Sequence, residues 1–368
     1  MKKELHGIVR EKDWYPYSVN IELTLACNMR CEHCGSSAGR PRPDELNVQE
    51  FDTIFADLKR LGGYEVCLLG GEPFVRPDWF DLAQSADTHG LKLVFITNGF
   101  AVNKNLVKKC LGLDGLDRVG VSIDGATAKI HDSIRRRPGS FRKAWQAVKL
   151  FRDAGVETGI ITTVTKHNIS ELPKMAEMLI DQDITWQIQM ATPEGVRFDR
   201  GFMLSPQEFY WVGAFISRIR NTIPVNRLPV AGSHDIGYHS RYLSNYSELP
   251  DWNGCAAGLY TLGIMSDGRV KGCLSMHDDF IEDNVRNRSL VEIWNDPELF
   301  ARNRYFDPSQ LAGTCKDCIY GNTCRAGCAN VGFTVTGNTF ENPYCFYRLE
   351  KEGLVNDIKI DLPKGFGI

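Results

Sequence analysis

Six short runs in the first half of the chain are rich in apolar and β-branched residues: "SVNIELTL" (18–25), "EVCLLGG" (65–71), "KLVFITNG" (92–99), "RVGVSIDG" (118–125), "ETGIITTV" (157–164) and "ITWQIQMA" (184–191). The segments between them carry a helical period instead. "VQEFDTIFADLKRLG" (48–62) repeats apolar residues near i, i+3, i+4 and i+7 and meets a glycine at its end. "SFRKAWQAVKLFRDAG" (140–155) repeats that plan, with Ser140 as its expected N-cap and Gly155 as its stop. "PDWFDLAQSADTHG" and "ELPKMAEMLIDQD" fill two further crossovers. Strands alternating with helices predict parallel β/α units. Six such units make an α/β fold, a partial (β/α)6 barrel of the TIM type, whose reactive groups collect at the C-terminal ends of the strands.

The alternation stops near residue 200. Residues 205–221 read as one more helix, and "TIPVNRLPVAGSHD", with two prolines and a glycine, reads as a connector. "LGIMSDGRVKGC" (262–273) predicts a hairpin turning at Asp267-Gly268. The expected organisation is a lead-in (1–17), the barrel (18–204), a helical bridge (205–254), a cysteine-rich domain (255–348) and a tail (349–368).

Composition narrows the functional classes. The 368 residues are 43% hydrophobic and 24% charged with a formal charge of −3, which points neither to nucleic acid nor to an acidic membrane surface. The first residues have no apolar signal-peptide core, and no apolar run approaches the ~20 residues of a membrane span. The expected compartment is the cytoplasm, where clustered thiols serve metals or catalysis more often than disulfides.

The chain has twelve cysteines. Three follow the first strand in "ACNMRCEHC": Cys27, Cys31 and Cys34. Soft thiolates suit an iron–sulfur cluster, and three of them leave one iron of a [4Fe–4S] cube open to a substrate. A zinc loop lacking one ligand is the plainer alternative. Two further motifs stand at strand ends. "LLGGEP" (68–73) closes the second strand with glycines that permit close backbone approach and with Glu72, an acceptor for a ligand amine. "VSIDG" (121–125) closes the fourth, with Ser122 and Asp124 able to bond ribose hydroxyls. Singly, each reads as a strand-to-turn glycine or a surface carboxylate. The three motifs in this order resemble the radical S-adenosylmethionine (SAM) enzymes over residues 18–200.

That resemblance implies a SAM-binding [4Fe–4S] cluster on Cys27, Cys31 and Cys34, with the SAM amine and carboxylate on its open iron. It implies the methionine amine at Gly70, Gly71, Glu72 and Pro73, the ribose at Ser122 and Asp124, and His33 near the adenine. Asn98, Arg135 and Thr163 are further candidates for the SAM end. Arg135 suits a bidentate carboxylate contact, although "RRR" at 135–137 also reads as a solvated basic patch.

Seven later cysteines, Cys255, Cys273, Cys315, Cys318, Cys324, Cys328 and Cys345, resemble the SPASM extension of the same enzymes, which carries two auxiliary [4Fe–4S] clusters. Zinc is again the plainer alternative for the CxxC pair. The family pattern assigns Cys315, Cys318, Cys324 and Cys345 to an outer cluster, and Cys255, Cys273 and Cys328 to an inner one. No further cysteine lies between Cys255 and Cys273, so the inner cluster is one thiolate short. His234 and His239 are the candidates to complete it. Cys67 and Cys110 read as small buried hydrophobes.

The resemblance implies an oxidoreductase or maturase. Reductive cleavage of SAM yields a 5′-deoxyadenosyl radical that takes hydrogen from an unactivated carbon, and the auxiliary clusters accept an electron afterwards. The expected substrate is a ribosomal precursor peptide, joined by a crosslink, thioether or related bond. The alternatives are oxidation or C–C bond formation on a small metabolite or tetrapyrrole and, in another class, a non-catalytic iron–sulfur electron carrier. Sulfatase-maturing relatives place an aspartate base after the second SPASM cysteine, where this chain has Leu274. His277, Asp278 and Asp279 nearby read as a polar turn. Arg197 and Arg200, in "ATPEGVRFDRG", are candidates to grip a substrate carboxylate or backbone, or are solvated charges. No catalytic base is assigned. About 17 residues precede the first strand, too few for a leader-binding fold, so a separate leader-binding protein or the surface of the SPASM domain is expected to recognise the peptide. A flavodoxin- or ferredoxin-type reductant is a further expected partner.

Overall fold

The computed structural model describes residues 14–247 and 252–355. The lead-in before residue 14, residues 248–251 of the bridge and the tail beyond residue 355 lie outside the described residues.

All six apolar runs are parallel strands: β1 (Ser18–Thr24), β2 (Glu65–Gly70), β3 (Lys92–Thr97), β4 (Leu116–Ser122), β5 (Glu157–Val164) and β6 (Thr185–Met190). Their registers align two kinds of row. Ile21, Leu68, Phe95 and Val119 are successive partners across β1–β4 and are fully buried under the helices. The adjacent row, Asn20, Cys67, Val94 and Arg118, faces the barrel interior. This is the period-2 alternation of a strand with two different faces. Closed eight-stranded barrels fill the interior with branched apolar side chains. Here Ser18, Asn20, Glu22, Glu65 and Gln187 point inward, and the interior holds a cavity of about 890 Å3.

The crossovers carry α1 (Val48–Arg60), α2 (Trp79–Thr88), α3 (Lys104–Cys110), α4 (Ala128–Arg135), α5 (Ser140–Asp153) and α6 (Leu172–Leu179). In α1 the predicted face is the buried one, with Phe51, Ile54, Phe55 and Leu58, and Asn47 and Glu50 form a capping box. The β4–β5 crossover holds two helices, and this changes the role of Ser140. The N-cap of α5 is Gly139, and the Ser140 hydroxyl donates to Asp132 at 2.8 Å. Asp132 also accepts from the Gly139 and Phe141 amides, so a carboxylate on α4 caps α5.

Beyond the barrel, α7 (Pro206–Thr222) follows the predicted helix, and the connector after it contains a short strand, β7 (Val230–Gly232), parallel to β6. The hairpin predicted at 262–273 is β8 (Thr261–Ile264) and β9 (Arg269–Lys271), with Gly268 at φ +88° in its turn. Strand β8 lies parallel to β1, so the hairpin extends the barrel sheet, and β10 (Ile281–Asn284) closes that edge. The sheet order is β10-β9-β8-β1-β2-β3-β4-β5-β6-β7. Local periodicity has no means of showing this pairing of strands more than 200 residues apart. The remaining cysteine-rich part is built from short helices: α8 (Leu290–Asn295), α9 (Ala301–Arg304), α10 (Gly321–Cys324), α11 (Ala329–Thr336) and α12 (Phe346–Lys351). Among the described residues no helix is long and apolar enough to cross a membrane.

Candidate active site

The loop after β1 presents Cys27, Cys31 and Cys34 to the cavity. All twelve cysteines are free thiols. Each sulfur of this trio accepts hydrogen bonds: Cys27 from the Met29 amide (3.4 Å) and Asn98 Nδ2 (3.8 Å), Cys34 from the Ala38 amide (3.4 Å), and Cys31 from Arg135 Nη1 (3.8 Å). Burial pushes the Cys27 thiol up to about 11 and raises that of Cys31. Thiolates here need a cation, and the donor set fits an iron–sulfur cluster.

Three braces hold the loop. Arg197 donates to the carbonyls of Cys31, Ser37 and Ala38 at 3.0–3.2 Å. It grips the cysteine loop itself, and this accounts for its place after β6. Gly195, at φ +83°, lets this strap lie on the loop, where a Cβ would overlap the Cys34 carbonyl oxygen. On the other side Glu32, next to Cys31, meets His167 Nδ1 at 2.7 Å. The third brace is Asp124. Its fully buried carboxylate pairs with Arg135 and His33, each at 2.7 Å, and accepts from the Thr163 amide at 3.0 Å. Those partners outweigh burial and hold the Asp124 carboxyl well below the usual range. Arg135 is 8% exposed, so within "RRR" only Arg136 and Arg137 are solvated.

The Gly-Gly turn after β2 passes so close to the β1 loop that a Cβ on Gly71 would overlap the Leu25 and Ala26 carbonyl oxygens. Glu72 is fully buried behind it. Its carboxylate accepts from Thr97 Oγ1 (2.6 Å) and the Asn98 amide (2.7 Å), and burial pushes its pKa up to about 7. His33, Gly70, Gly71, Asn98, Ser122, Arg135 and Thr163 line the cavity beside the three cysteines, whereas Glu72, Pro73 and Asp124 stand behind its wall.

The same cavity reaches the second cysteine set. Cys273 and Cys328 line it, and Cys273 and Cys255 flank a small apolar cluster of Ala257, Met276 and Ala329. Burial and then the neighbouring Cys255 push the Cys328 thiol up to about 12. Cys315, Cys318, Cys324 and Cys345 form a separate group away from the cavity. Burial raises Cys345 to about 12, with Cys315 and Cys318 adding to the shift. His234 lines the cavity, whereas His239 stacks on Tyr320 at 4.2 Å on the side of the outer group. Leu274, His277 and Asp278 also line the cavity. Asp278 pairs with Lys271 and Arg269, both at 3.2 Å. Arg200 reaches the Thr334 carbonyl. Cys67 faces the barrel interior, and Cys110 is fully buried in the core.

Each Arg and Lys lining the cavity is engaged by the chain: Arg42 with Glu22, Arg118 with Glu65, Arg135 with Asp124, Lys271 with Asp278, and Arg197 with its three carbonyls. Three acceptors on the β6–β7 side had no marker in the sequence: Glu194, Asp235 and Asn330.

Comparison with known proteins agrees with this geometry. The model of the radical SAM superfamily matches residues 21–179, and that of the SPASM iron–sulfur cluster-binding domain matches residues 255–319. The AdoMet-dependent heme synthase of Methanosarcina barkeri is 29% identical over 349 residues, 92% of this chain and 98% of that protein. The mycofactocin maturase MftC of Mycobacterium ulcerans is 32% identical over 331 residues, 89% of this chain and 86% of that protein. The crystal structure of Streptococcus suis SuiB bound to S-adenosylmethionine shares the fold, with a TM-score of 0.72 over 90% of this chain and 77% of that one at 18% identity. With three cysteines on the first barrel loop, a second thiol set sharing their cavity and relatives spanning nearly its whole length, the chain belongs to the radical SAM superfamily, as an enzyme whose two matched domains imply SAM and iron–sulfur clusters.

Proposed function

We propose that this enzyme is a maturase that oxidatively modifies an unactivated carbon of a ribosomal precursor peptide. The observation that carries this reading is the single cavity bordered by Cys27, Cys31 and Cys34 at one end and by Cys273 and Cys328 at the other. A substrate held there lies between a site that starts a radical and a site that can take up an electron. The maturase relative supports a peptide.

When bound, SAM and the iron–sulfur clusters supply a 5′-deoxyadenosyl radical and a sink for the electron that the substrate radical loses. The chain's own residues bind, orient and exclude water. Cys27, Cys31 and Cys34 hold the site cluster. Cys315, Cys318, Cys324 and Cys345 hold an outer [4Fe–4S] cluster, and Cys255, Cys273 and Cys328 an inner one, with His234 as the histidine at hand for its remaining position. This makes three clusters. Gly70 and Gly71 offer backbone to the methionine end of SAM, beside Pro73, while His33, Asn98, Ser122, Arg135 and Thr163 form the rest of its cradle. Glu72 and Asp124 act from behind the wall: Glu72 fixes Thr97 and Asn98, and Asp124 fixes His33, Arg135 and Thr163. Residues 18–204 and 255–348 are the two functional units, bridged by 205–254. The chain works in the cytoplasm with a flavodoxin- or ferredoxin-type reductant and a separate leader-binding protein.

The heme synthase relative, of which this chain covers 98%, favours a second reading, oxidation of a tetrapyrrole. Anaerobic reconstitution tests both. Three [4Fe–4S] clusters require about twelve irons per chain, and SAM with a reductant then gives 5′-deoxyadenosine. Mass change in a short peptide encoded beside the gene supports the first reading; turnover of an iron porphyrin instead supports the second. Failure to bind SAM overturns both.

A further inference from the structure

The cavity wall opposite the Gly70–Gly71 turn, four strands along the sheet, has hydrogen-bonding capacity that the chain leaves unused. Asp235, 7% exposed, accepts the Met190 amide through Oδ2 at 2.8 Å, and its Oδ1 has no hydrogen-bond partner among the described residues. Asn330, 5% exposed, donates from Nδ2 to Glu194 at 3.3 Å, and its Oδ1 likewise has no partner among the described residues. Among the described residues neither Glu194 nor Asp235 has a Lys or Arg salt-bridge partner, unlike the other carboxylates that line the cavity. All three residues line it. A buried acceptor without a donor is costly, so a protein that keeps two of them on one cavity wall has a donor to receive there.

The wall also lies where a substrate must sit. Glu194 reaches from the loop of Cys34, where a Cβ on Gly35 would be 3.6 Å from its own Cβ, to Asn330, two residues beyond Cys328. Asp235 is tied to the end of β6, four residues before Glu194.

We propose that Asp235, Asn330 and Glu194 form a recognition subsite for a basic side chain of the substrate, an ammonium or guanidinium group. This rests on the peptide reading above and sharpens it to a substrate with Lys or Arg near the modified carbon. A tetrapyrrole would bring carboxylates to a wall made of acceptors. With every Lys and Arg around the cavity already engaged, those carboxylates would find no free cation.

The test uses the reconstituted holoenzyme with SAM and two blocked peptides, acetyl-Ala-Lys-Ala-amide and its norleucine counterpart, which differ in the charged end. Calorimetry is expected to show the lysine peptide binding at least about tenfold more tightly. Asp235→Asn, which keeps an acceptor for the Met190 amide, and Glu194→Gln each narrow that ratio towards one. Equal affinity of the two peptides, or binding of neither, overturns the subsite. So does loss of about four irons in Asp235→Asn, which would make Asp235 a cluster ligand. The SAM-cleavage assay on the same preparation keeps the two proposals apart. 5′-Deoxyadenosine without a lysine preference removes the subsite alone, whereas absence of SAM binding removes the functional reading beneath it.

Discussion

Between Ser18 and Met190 the chain uses strands of six to eight residues and helices of up to fourteen. Between Asp307 and Cys328 no helix exceeds four residues, and Leu311, Gly321, Cys324, Ala326, Gly327 and Cys328 are the buried positions. In the barrel, apolar burial stabilises the elements and polar groups are added at the strand ends for chemistry. In the outer loop the buried groups include the thiols themselves. Folding a segment of that length costs on the order of 1–2 kcal/mol of backbone entropy per residue, and so few apolar side chains do not offset it. On the cluster assignment proposed above, metal–thiolate bonds supply what apolar burial does not. One chain carries two folding strategies, and on the proposed cluster assignment iron is a ligand for the barrel but a structural element for the loop.

The largest effect therefore belongs to metal removal. Chelation of the holoenzyme should abolish amide protection across residues 307–328 while β2–β5 keep theirs, as read by hydrogen exchange with mass spectrometry. Protection that persists in both regions would mean that the loop folds without its clusters and would end the contrast.

Next comes a barrel lesion that iron should not rescue. Asp124→Asn leaves the Arg135 guanidinium buried without its counter-charge, a change that costs about 3–5 kcal/mol. Urea unfolding of the metal-free protein, followed through buried Trp186, should show that loss. An unchanged midpoint would show that Arg135 is neutralised by something other than Asp124.

A pH effect of intermediate size arises at Glu72. Its carboxyl titrates near 7 when folded and near 4.5 when unfolded, so between those values the folded state holds more protons. Stability is fully present below pH 4.5 and falls as pH rises through the window, by about 1.4 kcal/mol per unit at most. Glu72→Gln should flatten that slope in the metal-free protein. A slope that persists in the variant would belong to other groups.

The two regions also differ in how far the sequence discloses them. All six barrel strands were legible because each is a short apolar, β-rich run set between segments of helical period, a local signal that needs no partner to be seen. The cysteine spacing was legible because ligand loops are local. What escaped were contacts between distant segments. Arg197 grips the carbonyl of Cys31, 166 positions away, Glu32 meets His167 across 135, and Asn330 meets Glu194 across 136. The sequence offered Arg197 as a grip for substrate or as a solvated charge, not as a brace of the cysteine loop. Glu72 and Asp124 were visible as site residues, but their position behind the wall depends on Thr97, Asn98, His33 and Arg135 arriving from other elements.

The smallest effect concerns the seam between the regions. Strand β8 pairs with β1, Val19 opposite Leu262 and Ile21 opposite Ile264, and the seam is reinforced inside by Ser266, whose hydroxyl donates to buried Glu22 at 2.7 Å. Outside it, Arg286 meets Glu50 in a fork at 2.7 and 3.2 Å, with both side chains about a third exposed. Water and salt screen such a pair, and exposed pairs are worth about 0–1 kcal/mol. Arg286→Ala should therefore shift the barrel transition by less than about 1 kcal/mol, and the shift should fade in 1 M salt. A larger, salt-resistant loss would place the strength of the seam on its outer face rather than in the shared sheet. The clustered loop would then be a module strapped onto the barrel, not an extension of it.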